Sequence, residues 1–414
     1  MPANEGPDKM ELRVRMYRVG FGDCFLISLP TAAGYRHILV DCGVHAKGDI
    51  HTMEKIIGNI ASETNKSLAI VIATHAHQDH ISGFAKGGET FKKFAVDEVW
   101  LPWTENPNDK QASKLHNKRI ALAEQLAQHF AARGASPATL EAVANLAGNQ
   151  LALQLLHSGF GTNAQVRYLE VGNELKDPAK IAGLSVRVLG PPRDPESLAK
   201  MDPPASQRYF RLGPDGEEKT VNDLLPFTSK WHFTRNADAL KQIRLSLHEE
   251  KHLQKELADP SLDDLAFALD QAMNNTSLVT LLTFHGQHLL FPGDAQYGNW
   301  RWWLEHEQAD QILSQVSFYK VSHHGSLNAT PRGALEKMST GQFAAMVSTQ
   351  STPWPSIPRP GLMKALTQQT AGKVVRSDWL PIPQAPKPSK APAPSHLPQG
   401  FSKGPFWYDY LVKL

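Results

Sequence analysis

LAIVIATHAHQDH, residues 68–80, joins a short apolar run to a dense set of metal-binding side chains. The run LAIVIAT (68–74) is rich in β-branched residues and carries no charge, the pattern of a strand buried on both faces. His75, His77, Asp79 and His80 stand at its C-terminal end. Imidazole nitrogen and carboxylate oxygen are the ligands that borderline metals such as zinc accept. Residues two apart at a strand end can converge on one ion, and Asp79 and His80 then face a second. Two neighbouring ions can activate a water and stabilise the oxygens of a displacement, so the stretch predicts a binuclear hydrolytic centre.

The flanking sequence reads as alternating strands and helices. Upstream, Glu11 to Leu29 alternates apolar and polar residues, turns at Gly20 and Gly22, and ends in CFLISL. HILVD (37–41) is a further strand, stopped by Gly43, and Met53 to Ser62 has helical spacing. Downstream, VDEVWL (96–101) is a strand. Residues 105–160 are rich in Ala, Leu, Gln and Lys at helical spacing, as in KRIALAEQLAQHFAARG, closed by Gly134. Strand patterns return at Gln165–Leu169 and Leu184–Leu189, before a polar, Pro-rich stretch (190–225) and a second helical block from about Ala237 to Met273. Ser277–Phe284, His288–Phe291, Ser317–Val321 and Val374–Arg376 read as strands, and 343–370 as a strand–helix unit. The composition of 381–398, mostly Pro, Ala, Ser and Lys, predicts an extended loop. The tail FWYDYLVKL (406–414) has strand composition and is expected to dock on a sheet.

Two more strand ends carry chemistry. In LLFPGDAQ (289–296) an apolar strand delivers Asp294 just past a glycine, where a carboxylate can bridge two ions. In FYKVSHHGS (318–326) a strand ends in His323 and His324. One imidazole can complete a metal shell while the other contacts substrate or acts as an acid. Ser326 and the backbone amides after it are placed to hold an oxyanion.

These three motifs, in this order, resemble the metallo-β-lactamase superfamily. More narrowly they resemble the hydrolase domain of ComEC, the bacterial DNA-uptake channel protein, and its soluble relatives. VGFGD (19–23), LVDCG (39–43), the His-x-His-x-Asp-His motif, NNTSLV (274–279), the Gly-Asp turn and SHHGS (322–326) carry the likeness. It covers roughly residues 11–103, 165–190 and 274–378. The resemblance implies an α/β fold, the metallo-β-lactamase αββα sandwich with mostly helical insertions. Its first half would span 11–104 and its second half 274–380. Between them, 105–273 would form a helical insertion or cap carrying two or more sandwich strands at about 165–190. A Pro-rich loop (381–398) and a docking strand (399–414) would follow.

Carried over residue by residue, the likeness implies His75 and His77 on one metal and Asp79 and His80 on the other. Asp294 would bridge them. His324 would complete the second metal, or His323 with the two reversed. The implied cofactors are two divalent ions, zinc foremost and manganese as the alternative. Asp79 and His323 are the catalytic candidates; Ser326, Asn274 and Asn275 are the substrate-binding ones. Many superfamily members supply a third histidine to the first metal where this chain has Met273, Asn274 and Asn275. His157 is the nearest upstream alternative, in a helical segment. Asparagine suits harder ions better than zinc, so the first metal is expected to be weaker or manganese-like. Relatives often carry a His-Pro in the loop where this chain reads PWPSIPRP (353–360).

Other residues take plainer readings. Asp23 and Asp41 are expected to hold loops under the site. Trp300, Trp302 and Trp303 are expected to pack, and His51, His116, His129, His248 and His252 to be solvated. Lys320 is read either as a solvated strand lysine or as a phosphate contact. The net charge of +2 over 414 residues gives no global attraction to nucleic acid or acidic membranes. No apolar run approaches the roughly 20 residues of a spanning helix, and the first residues lack the apolar core of a signal peptide. A cytoplasmic protein is the expectation, with Cys24 and Cys42 as buried thiols on neighbouring strands. The expected activity is hydrolysis of a phosphodiester, nucleic acid foremost, by a metal-activated water. The alternatives are hydrolysis of another ester (a phosphorylcholine ester, a lactone or a β-lactam) and a non-catalytic metal-stabilised binding module.

Overall fold

The computed structural model describes residues 11–45, 51–117, 120–121, 149–161, 164–209, 273–306, 308–350, 356–379 and 396–414. Most of the helical stretch after residue 117, the block 237–273 up to its last residue, and the loop 381–398 up to 395 lie outside the described residues. So do His129, His248 and His252.

Fifteen described strands form two sheets. The first runs β14-β15-β1-β2-β3-β4-β5-β6. Its strands are β1 (Glu11–Tyr17), β2 (Cys24–Thr31), β3 (Gly34–Cys42), β4 (Ser67–Ile72), β5 (Ala95–Pro102), β6 (Gln165–Leu169), β14 (Phe401–Lys403) and β15 (Trp407–Lys413). The second runs β13-β12-β11-β10-β9-β8-β7. It comprises β7 (Glu174–Lys176), β8 (Leu184–Gly190), β9 (Val279–Phe284), β10 (Gln287–Phe291), β11 (Phe318–Lys320), β12 (Ala344–Val347) and β13 (Val374–Arg376). In each sheet a parallel block, β3 to β6 and β10 to β13, is extended by antiparallel strands. The region 165–190 holds three strands. β6 closes the first sheet, and β7 and β8 form the edge of the second.

Side-chain alternation explains the layering. From β2 and β3, Phe25, Ile27, Ile38 and Val40 point inward to meet Val186, Leu282, Phe291 and Phe318 of the opposite sheet. Leu26 and Leu39 point outward and are covered by the helices Met53–Glu63, Gln78–Lys86 and Gln150–His157 through Ile56, Ile60, Phe84 and Leu156. On the far side Leu281, Leu290 and Tyr319 meet Trp300, Trp303 and Ile312. Trp300 and Trp303 are thus core residues, with Trp302 half-buried beside them. Two sheets buried face to face between outer helices make an αββα sandwich.

The C-terminal strand β15 pairs antiparallel with β1 along its whole length. Arg15 of β1 donates Nε to Asp409 Oδ1 at 2.7 Å and Nη2 to Asp409 Oδ2 at 2.8 Å, a bidentate pair in a nearly dry setting. Cys24 and Cys42 are in register on β2 and β3, both buried free thiols. Among the described residues no helix is long and apolar enough to cross a membrane.

Candidate metal centre

The parallel blocks of both sheets end at the same edge, and there the chemistry collects, as is general for α/β sheets. His75 and His77 lie in the loop after β4, and Asp79 and His80 in the first turn of the helix Gln78–Lys86. Asp294 follows β10, and His323 and His324 follow β11. Asp41 comes from the end of β3, and Asp23 from the turn before β2.

The loops are drawn together by close backbone approach. Asp23 N donates to Asp79 O and Gly43 N to Asp23 O, both at 2.9 Å. A Cβ on Gly43 would collide with the backbone of Asp79 and His80, so only glycine lets β3 run this near the helix start. Asp41, His323 and His324 sit at positive φ (54°, 44° and 53°), a conformation costly for non-glycine residues and typical of functional sites.

One ligand-type atom from each of Asp79, His80, Asp294 and His324 lies within 4.8 Å of the other three. His324 Nε2 is 3.2 Å from both Asp79 Oδ2 and Asp294 Oδ2, while its Nδ1 donates to Ser348 O at 2.8 Å. The ring of Phe21 packs on that imidazole, with centroids 4.2 Å apart. His80 Nδ1 donates to Asp41 Oδ2 at 2.8 Å. Its Nε2 lies 3.1 Å from Asp294 Oδ2 but makes no hydrogen bond there. Both rings are therefore anchored through Nδ1 and turn Nε2 to a shared point. This is the arrangement in which an outer partner orients a metal-binding histidine. His75 and His77 stand beside this group, His75 Nε2 facing His77 Nδ1 at 3.0 Å. His75 Nδ1 lies 3.2 Å from the hydroxyls of Thr74 and Ser277.

The electrostatics fit a cation. Burial opposes charge on His80, but Asp294, Asp41 and Asp79 outweigh it and hold the imidazolium well above its ordinary value. His324 is pushed up to about 10, as Asp294, Asp79 and Asp23 overcome the same burial. Asp294 is buried and Asp79 largely so, yet the two rings, and Lys320 for Asp294, pull both well below the carboxylate range. Both imidazole shifts favour protons on His80 and His324, whose positive charge offsets the two carboxylates in the absence of metal. His75 goes the other way, held neutral by burial and by the neighbouring rings of His80 and His77.

Several residues sit elsewhere than the sequence suggested. Asn275 does not face the site: it is fully buried. Its Nδ2 donates to Leu198 O and Lys200 O, and its Oδ1 accepts from the amides of Gln296 and Asn299. A side chain saturated by backbone has nothing left for substrate, so it holds the strand entry instead. Asn274 does reach the site, with Nδ2 3.5 Å from His323 Nε2 and Oδ1 buried without a partner. His157 hydrogen-bonds Tyr168 at 2.8 Å and stays outside the ligand group. Lys320 is neither solvated nor free for phosphate. It is buried, ion-paired with Asp23 and, at 3.2 Å, with Asp294. Ser326 is nearly buried, its hydroxyl engaged by His323 Nδ1 (2.9 Å) and Asn328 Oδ1 (2.8 Å). Sequence reasoning missed the contributions of Phe21, Ser277 and Ser348. A lysine inside the apolar strand FYKV was the legible sign of a buried partner for Lys320.

Residues 17–135 match the family model described as Metallo-beta-lactamase superfamily. None of the curated proteins matches the sequence. Among solved structures it is similar to Igni18, a novel metallo hydrolase from the hyperthermophilic archaeon Ignicoccus hospitalis KIN4/I. That likeness has 11% identity and a TM-score of 0.36, over 88% of this chain and 94% of that one. It is also similar to a beta-lactamase domain protein from Burkholderia ambifaria, at 18% identity and TM-score 0.21, over 40% of each chain.

Proposed function

We propose that this protein is a metal-dependent hydrolase acting on a phosphodiester, with nucleic acid as the leading substrate class. The observation that carries the metal reading is the convergence of Asp79, His80, Asp294 and His324 on one point. His75 and His77 would hold a second ion beside it, with Asn274 Oδ1, buried without a hydrogen-bond partner, as a candidate oxygen. Divalent ions bound there supply charge to activate water and to offset the negative charge that develops on phosphorus oxygens. Four imidazoles and two carboxylates accommodate zinc, and the asparagine oxygen widens the choice toward manganese. The phosphodiester reading is supported by the ComEC-type motif series VGFGD, LVDCG, NNTSLV and SHHGS.

His323 stands at the rim of the group, with Nε2 4.0 Å from Asp294 Oδ2. Its Nδ1 faces Asn328 Oδ1 at 3.1 Å, an acceptor, and the Ser326 hydroxyl donates to that same oxygen. The proton of neutral His323 therefore belongs on Nδ1, and Nε2 presents a lone pair to the site. Burial pushes this imidazole down to about 4. In this reading His323 accepts a proton or hydrogen bond from a water or substrate hydroxyl, rather than protonating the leaving group.

The test is a substrate panel with metal-reconstituted protein: single- and double-stranded DNA, RNA, bis-p-nitrophenyl phosphate and nitrocefin. The expected result is phosphodiester cleavage lost in His80→Ala and Asp294→Ala. Cleavage that survives both substitutions would overturn the site, and inertness toward every phosphodiester would overturn the substrate class.

A further inference from the structure

We propose, on the metal-binding reading above, that Lys320 is a positioning residue that assigns the two oxygens of Asp294 to different tasks. Lys320 lies on β11, three residues before His323, with its side chain 2% exposed. Its ammonium donates to Gly293 O at 2.9 Å and to Asp294 Oδ1 at 3.2 Å, and it ion-pairs with Asp23. Three donors meet three acceptors, so the ammonium is saturated and holds no hydrogen for a substrate.

Fixing Oδ1 leaves Asp294 Oδ2 as the oxygen facing His80 Nε2 and His324 Nε2, at 3.1 and 3.2 Å. The carboxylate plane is thereby set before any ion arrives. Lys320 also neutralises Asp23, which lies 3.7 Å from Nδ1 of both His80 and His324. An uncompensated Asp23 would compete with Asp41 and Ser348 O for the protons that orient those rings. Lys320 thus acts on all three of Asp294, His80 and His324 without being a ligand. Outer contacts of this kind govern how tightly a site holds its metal.

The experiment compares wild type with Lys320→Met and Lys320→Gln, each checked for folding by circular dichroism. Zn²⁺ affinity is read by chelator competition and ligand geometry by the visible spectrum of Co²⁺-loaded protein. The expected result is a loss of at least roughly tenfold in Zn²⁺ affinity for Lys320→Met, with an altered Co²⁺ spectrum. Lys320→Gln, which keeps N–H donors but no charge, should fall between. A folded Lys320→Met with wild-type affinity and spectrum would overturn the role while leaving the metal site standing. Wild-type protein that binds no Zn²⁺ would instead overturn the metal reading itself. Should neither variant fold, ¹⁵N-lysine-labelled wild type decides. One ammonium signal protected from water exchange, shifting on Zn²⁺ addition, supports the role, and its absence overturns it.

Discussion

Asp41→Asn separates an orienting carboxylate from a merely buried one. Asp41 Oδ1 accepts the Thr74 amide at 2.7 Å, and Oδ2 accepts both the Thr74 hydroxyl and His80 Nδ1 at 2.8 Å. Asparagine keeps the shape and one acceptor, but places an NH₂ against His80 Nδ1–H and the Thr74 hydroxyl. The hydroxyl can rotate. His80, held as an imidazolium, keeps its Nδ1–H, which then points at a donor, so the ring loses the anchor that aims Nε2 at Asp294. One charge-assisted hydrogen bond is lost, worth about 1.5–3 kcal/mol. Metal must then bind a ring no longer held by an outer acceptor, so affinity should fall roughly 10–100-fold. Zn²⁺ affinity by chelator competition, with urea unfolding of the metal-free protein, reads both quantities. Wild-type affinity in a folded Asp41→Asn would refute the claim that Asp41 orients His80.

Three further outcomes are expected. Metal loading should release protons, because His80 is held well above its ordinary value and His324 up to about 10 in the metal-free site. Affinity should therefore rise with pH up to about 10 and weaken below it, and calorimetry in buffers of different ionisation enthalpy should detect close to two protons per site; none would contradict the charge assignment. Gly43→Ala places a Cβ against the backbone of Asp79 and His80, so urea unfolding should show a loss of about 3 kcal/mol or more together with weakened metal binding. Asp409→Ala strands Arg15 next to Asn59 and Glu63 alone. Stability should drop by about 3 kcal/mol while Zn²⁺ affinity changes less than about twofold, because this pair pins β15 away from the ligand group.

The ligand-bearing strand ends were legible because each is local: an apolar run, then a turn, then donors, all within a dozen residues. LAIVIAT, HLLF and FYKV announce β4, β10 and β11 in this way. The partners of those ligands were not legible, because they come from distant elements. Asp41 reaches His80 across 39 positions and Ser348 O reaches His324 across 24. The order of His323 and His324 in the site depends on two consecutive left-handed residues, a backbone feature that no spacing rule predicts. Asn275 misled for a related reason: as a side chain, asparagine serves substrate and backbone equally well, and only packing shows which. β7 (ELK) and β14 (FSK) lack the apolar or β-branched composition that marks the equally short β11 and β13.

The central claim is that Asp79, His80, Asp294 and His324 hold a metal ion. Anomalous scattering from Zn²⁺-loaded crystals, collected on both sides of the zinc absorption edge, tests it most directly. The account predicts a peak in contact with His80 Nε2, His324 Nε2 and the carboxylates of Asp79 and Asp294. Loaded protein with no peak there, or with its zinc bound only elsewhere, would contradict it.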